Sequence, residues 1–207
     1  MSTSSDPKTE PEDTLQGVCN PRSLGLPKDV WTRILKPLEY KDLKKASRVC
    51  KHLQKIISGK DFDAALFRAG PAKPQLVEGV RLKIHPMLEK TDCVFKDWET
   101  AKILHHGVGE KDYKVYFPKD YPSILDEYAT SPASSLIILH MNGGPPSKPF
   151  SRKKGVKVID VLKWLAKYWT PINFDRTLGD HRFFEGWERA VAKGQNWTDL
   201  HSNWFGS

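Results

Sequence analysis

The sequence contains little cysteine and no long hydrophobic run. Its 207 residues include three cysteines, at positions 19, 50 and 93, with neither CxxC nor CxxxH spacing. This excludes a disulfide framework and predicts a reducing compartment, cytoplasmic and/or nuclear. No apolar run approaches the roughly 18 residues needed to span a bilayer, and the opening MSTSSDPKTEPEDT lacks the apolar centre of a signal peptide. We therefore expect no membrane partner.

The sequence also lacks the motifs of common enzyme and metal sites. No cysteine or carboxylate stands at ligand spacing around His105-His106. Gly107-Val108-Gly109 lacks the third glycine and the preceding strand of a dinucleotide-binding loop. Ser131 and Ser134-Ser135 lack the context of a nucleophile elbow. We predict no catalytic residue, no cofactor, no metal site and no enzymatic activity. There is also no internal repeat.

Positive charge is concentrated in one part of the chain. The net charge is +8, to which residues 1–23 contribute −2, residues 24–68 contribute +6 and residues 69–207 contribute +4. A basic surface favours an acidic partner, of which nucleic acid is one kind, although it can equally be a solvated face.

Composition divides the chain into four segments. Residues 1–22 are rich in Ser, Pro, Thr and Glu and are predicted to be disordered. Residues 23–68 have helical periodicity and form a small module. Residues 69–82 begin with Ala-Gly-Pro-Ala-Lys-Pro and are predicted to be a linker. Residues 83–207 are predicted to form a second domain that could recognise a substrate.

The pattern of residues 24–68 predicts two main helices. Pro27 suits the first helical position, and Lys36-Pro37 should end the first helix. The second helix is predicted to begin at Asp42, a good N-cap residue, and to continue to Ile57 before Gly59. Its apolar residues recur at steps of three and four. The basic residues of this predicted helix fall on the opposite face; they are Lys44, Arg48, Lys51 and Lys55.

Such short helices are marginal alone and carry more apolar side chains than they can bury, so the module is expected to need a partner. Its pattern combines Leu26-Pro27-x-Asp29-Val30 with Ser47-Arg48-Val49-Cys50-Lys51 and further apolar positions between and after them. Over about residues 24–67 this pattern resembles an F-box. Two positions depart from the family: Asp29 replaces the commoner glutamate, and Phe67 stands where tryptophan is usual.

The resemblance implies a non-catalytic, substrate-receptor subunit of an SCF-type cullin–RING ubiquitin ligase. It would bind a Skp-type adaptor, and through it a cullin, and would present an unknown client through the C-terminal domain. The residues that match the family's adaptor-binding or core positions are Leu26, Pro27, Val30, Ile34, Leu35, Leu38, Leu43, Val49, Cys50 and Leu53. The sequence does not divide these between core and interface. The alternative is a nucleic-acid-binding protein that uses the basic face of the second helix.

The second half is predicted to be an α+β domain with a mostly antiparallel sheet. Strands are expected at Tyr113–Phe117, at Leu136–His140 and near the C-terminus. Helices are expected at about Ile159–Trp169 and at Phe183–Val191. His85–Leu88, Ser131-Pro132, Gly155–Leu162, Thr170-Pro171 and Trp187–Arg189 together resemble an uncharacterised domain of fungal proteins. That resemblance implies an α+β fold and no known chemistry.

Overall fold

A computed structural model describes residues 25–71, 76–91, 97–106, 113–141, 144–168, 184 and 186–202. The chain divides into two compact units, residues 1–58 and residues 59–207. The predicted disordered segment, residues 1–22, lies outside the described residues. Among the helices of the described part, none combines the length and the apolar character that crossing a bilayer requires.

The first unit consists of three short helices: α1 (Lys28–Leu35), α2 (Tyr40–Val49) and α3 (Lys51–Ile57). Pro27 is the N-cap of α1, and its carbonyl accepts the amide hydrogens of Val30 and Trp31 at 3.1 and 3.2 Å. The first N–H groups of a helix have no acceptor within the helix, so the missing N–H of proline loses no hydrogen bond at this position. The helix ends at Leu35, next to Lys36-Pro37 as predicted, although its C-cap Lys36 keeps helical angles, with φ −57° and ψ −34°.

The prediction of one continuous helix from Asp42 to Ile57 is wrong. Cys50 has extended backbone angles, with φ −160° and ψ 161°, and separates α2 from α3. The Ser47 hydroxyl donates to the Lys44 carbonyl at 2.8 Å, a bond that competes with the helical ladder in the last turn of α2. The N-cap of α2 is Glu39 and not Asp42. The Asp42 carboxylate instead lies 3.6 Å from the Lys45 ammonium.

The second unit is built on a six-stranded sheet with the order β4-β1-β7-β8-β5-β6. Its strands are β1 (Arg81–Ile84), β4 (Thr130–Ser131), β5 (Leu136–His140), β6 (Phe150–Ser151), β7 (Trp187–Gly194) and β8 (Trp197–Ser202). Neighbouring strands are antiparallel except for β5 and β8, which are parallel. A separate antiparallel pair consists of β2 (Ile103–His106) and β3 (Tyr113–Tyr116). The helices are α4 (Pro86–Glu89), α5 (Pro122–Leu125) and α6 (Val158–Tyr168).

The core of the second unit joins α6 to one face of the sheet. Val161 and Leu165 of α6 are fully buried and share a cluster with Ile137, Leu139 and Leu200 of the sheet. On β5, burial alternates between buried and half-buried positions, as it does on a strand whose two faces differ. The chain thus has a helical first unit and a second unit in which helices accompany a mainly antiparallel sheet. This confirms the predicted α+β class.

Four of the predicted elements in this unit are confirmed, and one is wrong. Strands β3, β5 and β8 and helix α6 lie where the sequence places them. The predicted helix at Phe183–Val191 is instead strand β7, which pairs with β1 on one side and β8 on the other. Gly186 has φ +83° and leads into this strand, where Trp187 is buried. Strand pairing on both sides outweighs a helix-like spacing of apolar residues.

Residues 59–71 make several contacts within the second unit. The Phe67 carbonyl accepts the Tyr128 amide hydrogen at 2.7 Å, and the Ala64 carbonyl accepts the Ser131 hydroxyl at 2.8 Å. Further along, Leu82 of β1 is buried in the core. The division after Ser58 therefore falls earlier than the boundary expected between residues 68 and 69, and the end of the expected linker already forms part of the sheet.

Candidate functional site

Helix α1 is held against α3 while leaving apolar side chains at the surface. The rings of Trp31 and His52 meet edge-on, with centroids 6.3 Å apart. Ile34 lies one helical turn from Val30 and is 50% exposed, and Leu26, just before the helix, is 42% exposed. Val49, at the end of α2, is 57% exposed. We call Leu26, Ile34 and Val49 the exposed apolar set.

The structure divides the predicted adaptor-binding residues by burial. Leu35 and Leu43 are 5% and 0% exposed, so they belong to the protein interior. Pro27 is exposed together with the exposed apolar set. The remaining members are half-buried: Val30, Leu38, Cys50 and Leu53. Half-buried apolar side chains can serve both the unit's own packing and a contact surface.

The predicted basic face does not form as the stripe of one helix. Lys44 and Arg48 belong to α2, whereas Lys51 and Lys55 belong to α3, with extended Cys50 between them. Arg48, Lys51 and Lys55 are exposed; Lys44 is half-buried, with its Nζ 5.2 Å from the centre of the Tyr40 ring. The single helical face on which the nucleic-acid alternative rested is therefore absent from the described residues.

A second candidate site lies in the second unit, beside α6. It is a groove of about 510 Å³, lined by the aromatic rings of Trp98, Phe150 and Trp164. The centroids of the Phe150 and Trp164 rings are 5.1 Å apart, and the Lys163 ammonium lies 5.2 Å from the centroid of the Trp98 ring. Aromatic rings give the groove apolar surface with little conformational freedom to lose on binding.

The charged residues at this groove are mainly basic. Arg152, Lys163 and Lys167 line it together with Asp97 and Asp160. The Asp160 carboxylate is engaged locally: Oδ1 accepts from Arg152 Nε at 2.8 Å, and Oδ2 accepts the Lys157 amide hydrogen at 3.1 Å. Lys163 and Lys167 add positive charge beside the aromatic rings, so the groove suits a ligand with acidic and apolar groups.

The sequence did not predict this groove. Its aromatic residues are far apart in the chain, and only the fold brings Trp98 to Phe150 and Trp164. The one sequence feature that pointed toward it was the concentration of tryptophans in the second half, where six of the seven lie after residue 90. Two basic residues of this region, Arg152 and Lys157, form ion pairs with Asp160 and Asp126, each at 2.8 Å.

Comparison with known families identifies one domain. Residues 23–64 match the F-box domain family. The match covers the three helices and continues beyond the division at Ser58. No curated protein and no solved structure matches the chain. The predicted resemblance of the second half to a fungal domain thus has no support from a relative and stays a prediction.

Proposed function

We propose that this chain is the substrate-receptor subunit of an SCF-type ubiquitin ligase, acting as a scaffold without catalysis of its own. F-box domains bind Skp-type adaptors, and the adaptor would connect this chain to a cullin. The observation that carries the proposal is the exposed apolar set on the matched domain. Exposed apolar side chains on a domain whose family binds an adaptor are the natural candidates for that contact.

Burial assigns different roles to the residues that match the family. Leu26, Pro27, Ile34 and Val49 are exposed and would contact the adaptor directly. Leu35 and Leu43 would support that surface from the interior. Burying an apolar side chain fully contributes about 1.5–3 kcal/mol. Because association itself costs several kcal/mol, several such contacts are needed for affinity in the micromolar range or better.

Exposed basic residues of the same unit favour an acidic adaptor. Arg48, Lys51 and Lys55 are all exposed on α2 and α3. Charges at the rim of an interface accelerate association and select partners more than they increase affinity. Adaptor binding should therefore become slower, but not be abolished, as the salt concentration rises.

For the client, we place the binding site in the groove beside α6. Its aromatic rings and its lysines, Lys163 and Lys167, suit an acidic segment with apolar side chains. A groove lined in this way fits a protein client better than a small polar metabolite. The chain would act in the cytoplasm, the nucleus or both, where the ligase machinery and reduced cysteines coexist.

The test is the affinity of the full chain for a purified Skp-type adaptor. Replacing both Leu26 and Ile34 with alanine removes two exposed anchors, each worth about 1–2 kcal/mol at the centre of an interface. We expect at least about 30-fold weaker binding by calorimetry, with unchanged thermal unfolding. The matched control is Val77→Ala with Val80→Ala, since these side chains in the second unit are 69% and 48% exposed.

Equal affinity of both double variants for the adaptor would refute the proposed contact surface. Loss of binding in the control as well would point to a general effect of removing exposed apolar groups. The nucleic-acid alternative has its own signature, because several phosphate contacts give a steep loss of affinity with rising salt.

A further inference from the structure

The parallel pairing of β5 and β8 brings two histidines and an aspartate together. His140 of β5 is directly opposite His201 of β8, and Asp199 lies two residues before His201. Because alternate residues of a strand share a face, Asp199 and His201 point to the same side of the sheet. Leu139 and Leu200, their neighbours in sequence, are fully buried and belong to the core on the other side.

One distance among these side chains matches the spacing of metal ligands, and the third side chain lies close by. His140 Nε2 lies 3.2 Å from Asp199 Oδ1, and one ligand atom from each of the three residues lies within 4.8 Å of the others. A tetrahedral ion with ligands at about 2.0–2.1 Å holds its donor atoms about 3.3 Å apart. The His140–Asp199 pair already has this spacing. The His140 and His201 rings are stacked, with centroids 4.6 Å apart, so metal binding requires the His201 side chain to rotate until its ring nitrogen faces the ion.

Two of the donor atoms are buried without a hydrogen-bond partner among the described residues. These are His140 Nε2 and Asp199 Oδ1, which are close but do not form a hydrogen bond with each other. The Asp199 side chain is only 9% exposed. A buried polar atom left unpaired costs about 1–3 kcal/mol, so such atoms usually have a function or an absent partner.

The other buried histidine–carboxylate pair of this unit shows the contrast. His85 Nε2 and Glu127 Oε2 are 3.0 Å apart and hydrogen-bonded, and His85 Nδ1 accepts the Met87 amide hydrogen at 3.1 Å. Both ring nitrogens of His85 are thus used within the protein. At His140 and Asp199, the corresponding atoms lie 3.2 Å apart and neither forms such a bond with the described residues.

The neighbouring strand β7 carries basic residues beside this set. A neutral imidazole retains the lone pair that coordinates a metal ion. Arg189 is exposed and pairs opposite His201 on β7, where solvent screens its repulsion of a cation.

We propose that His140, Asp199 and His201 bind a divalent transition-metal ion, with Zn²⁺ as the best-fitting example. Two imidazoles and a carboxylate suit zinc and its neighbours, whereas Mg²⁺ and Ca²⁺ prefer oxygen ligands throughout. Three protein ligands leave at least one coordination position for water or for a donor atom of a bound molecule. Since its ligands come from both β5 and β8, the ion would also link these strands. Sequence spacing could not have indicated this set, because its two parts are about 60 residues apart.

The test is calorimetric titration of the chelator-treated full chain with ZnCl₂. We expect one strong site, with a dissociation constant of about a micromolar or lower, and no comparable binding of MgCl₂. Replacing His140 and His201 with alanine should weaken zinc binding at least about 100-fold. The matched control is His105→Ala with His106→Ala, which removes the same number and kind of side chains and should leave the strong site intact.

Asp199→Asn provides a variant of nearly unchanged shape. It should weaken zinc binding at least about tenfold while the protein stays folded by circular dichroism. Zinc should raise the thermal unfolding midpoint of the original protein but not that of the His140/His201 variant. Binding no tighter than millimolar would overturn the proposed site. Equal zinc affinity in the original protein and the folded His140/His201 variant would overturn it as well.

Discussion

His85 shows how a single buried side chain can organise a region of this protein. The side chain is fully buried, and its Nδ1 accepts the Met87 amide hydrogen, so the ring proton resides on Nε2 and is donated to Glu127. The Phe67 ring packs edge-on against His85, with centroids 4.9 Å apart. One imidazole therefore connects the start of α4, residue 127 and the segment that follows the first unit.

At the residue scale we predict that Glu127→Ala destabilises the protein by about 1–3 kcal/mol. The substitution removes the acceptor that lies 3.0 Å from His85 Nε2 and leaves a buried donor without it. Chemical denaturation of the full chain measures the change. Glu188→Ala is the control, because Glu188 is exposed and its loss should change stability by less than about 0.5 kcal/mol. Equal effects of the two substitutions would contradict this role of the pair.

Among the elements, α2, α3 and β7 show which sequence signals were insufficient. Apolar spacing across residues 43–57 is helical throughout, yet one extended residue, Cys50, divides it into two helices. Periodicity reports an average over many residues, so it does not reveal a single non-helical residue. Strand β7 pairs with β8, which follows it after two residues, and with residues 81–82, which are distant in the chain.

At the element scale we predict that Gly186→Ala is strongly destabilising. Gly186 has φ +83°, and a Cβ there would lie 2.3 Å from the Glu89 carbonyl oxygen at the end of α4. The left-handed conformation alone costs about 1–2 kcal/mol for a residue with a Cβ, and the contact with backbone adds to it. The expected result is a loss of at least about 2 kcal/mol in the free energy of unfolding.

Gly194→Ala is the matched control for this substitution. It lies at the other end of β7, and a Cβ there would meet nothing within 4 Å. Its effect should stay within about 1 kcal/mol. If the two alanine variants unfolded at the same denaturant concentration, the close approach of β7 to α4 would not constrain the fold.

For the whole molecule, the division into two units does not coincide with the end of the matched family. The F-box match ends at residue 64, whereas the second unit begins at Gly59. Residues 59–67 contact the rest of the second unit: the Ala64 and Phe67 carbonyls accept hydrogen bonds from Ser131 and Tyr128. The end of the F-box match and the start of the second unit therefore share the segment of residues 59–64.

At this scale we predict that a fragment of residues 59–207 is more stable than one of residues 69–207. The shorter fragment lacks the Phe67 carbonyl that accepts the Tyr128 amide hydrogen at 2.7 Å, and it lacks the ring that packs on His85. Loss of a buried aromatic side chain costs about 3–5 kcal/mol. Thermal unfolding of both fragments measures the difference. Identical midpoints would instead support the boundary that the sequence places between residues 68 and 69.

The sequence by itself determined the elements whose signals are local. Pro27 and Lys36-Pro37 bound α1, alternating residues define β3, and an apolar run between turn residues defines β5. It also determined the F-box resemblance, since that pattern lies within about 45 consecutive residues. Which of its leucines face inward was not determined, because burial depends on how α1, α2 and α3 pack.

Only the tertiary structure decided the sites. Trp98 joins Phe150 and Trp164 in the groove, and His140 meets Asp199 and His201, through contacts between distant parts of the chain. Sequence spacing carries no information about which strands become neighbours, since that choice depends on the combined burial of the whole sheet. The same reason contributes to β7 being a strand, since β1, its partner on one side, comes from a distant part of the chain.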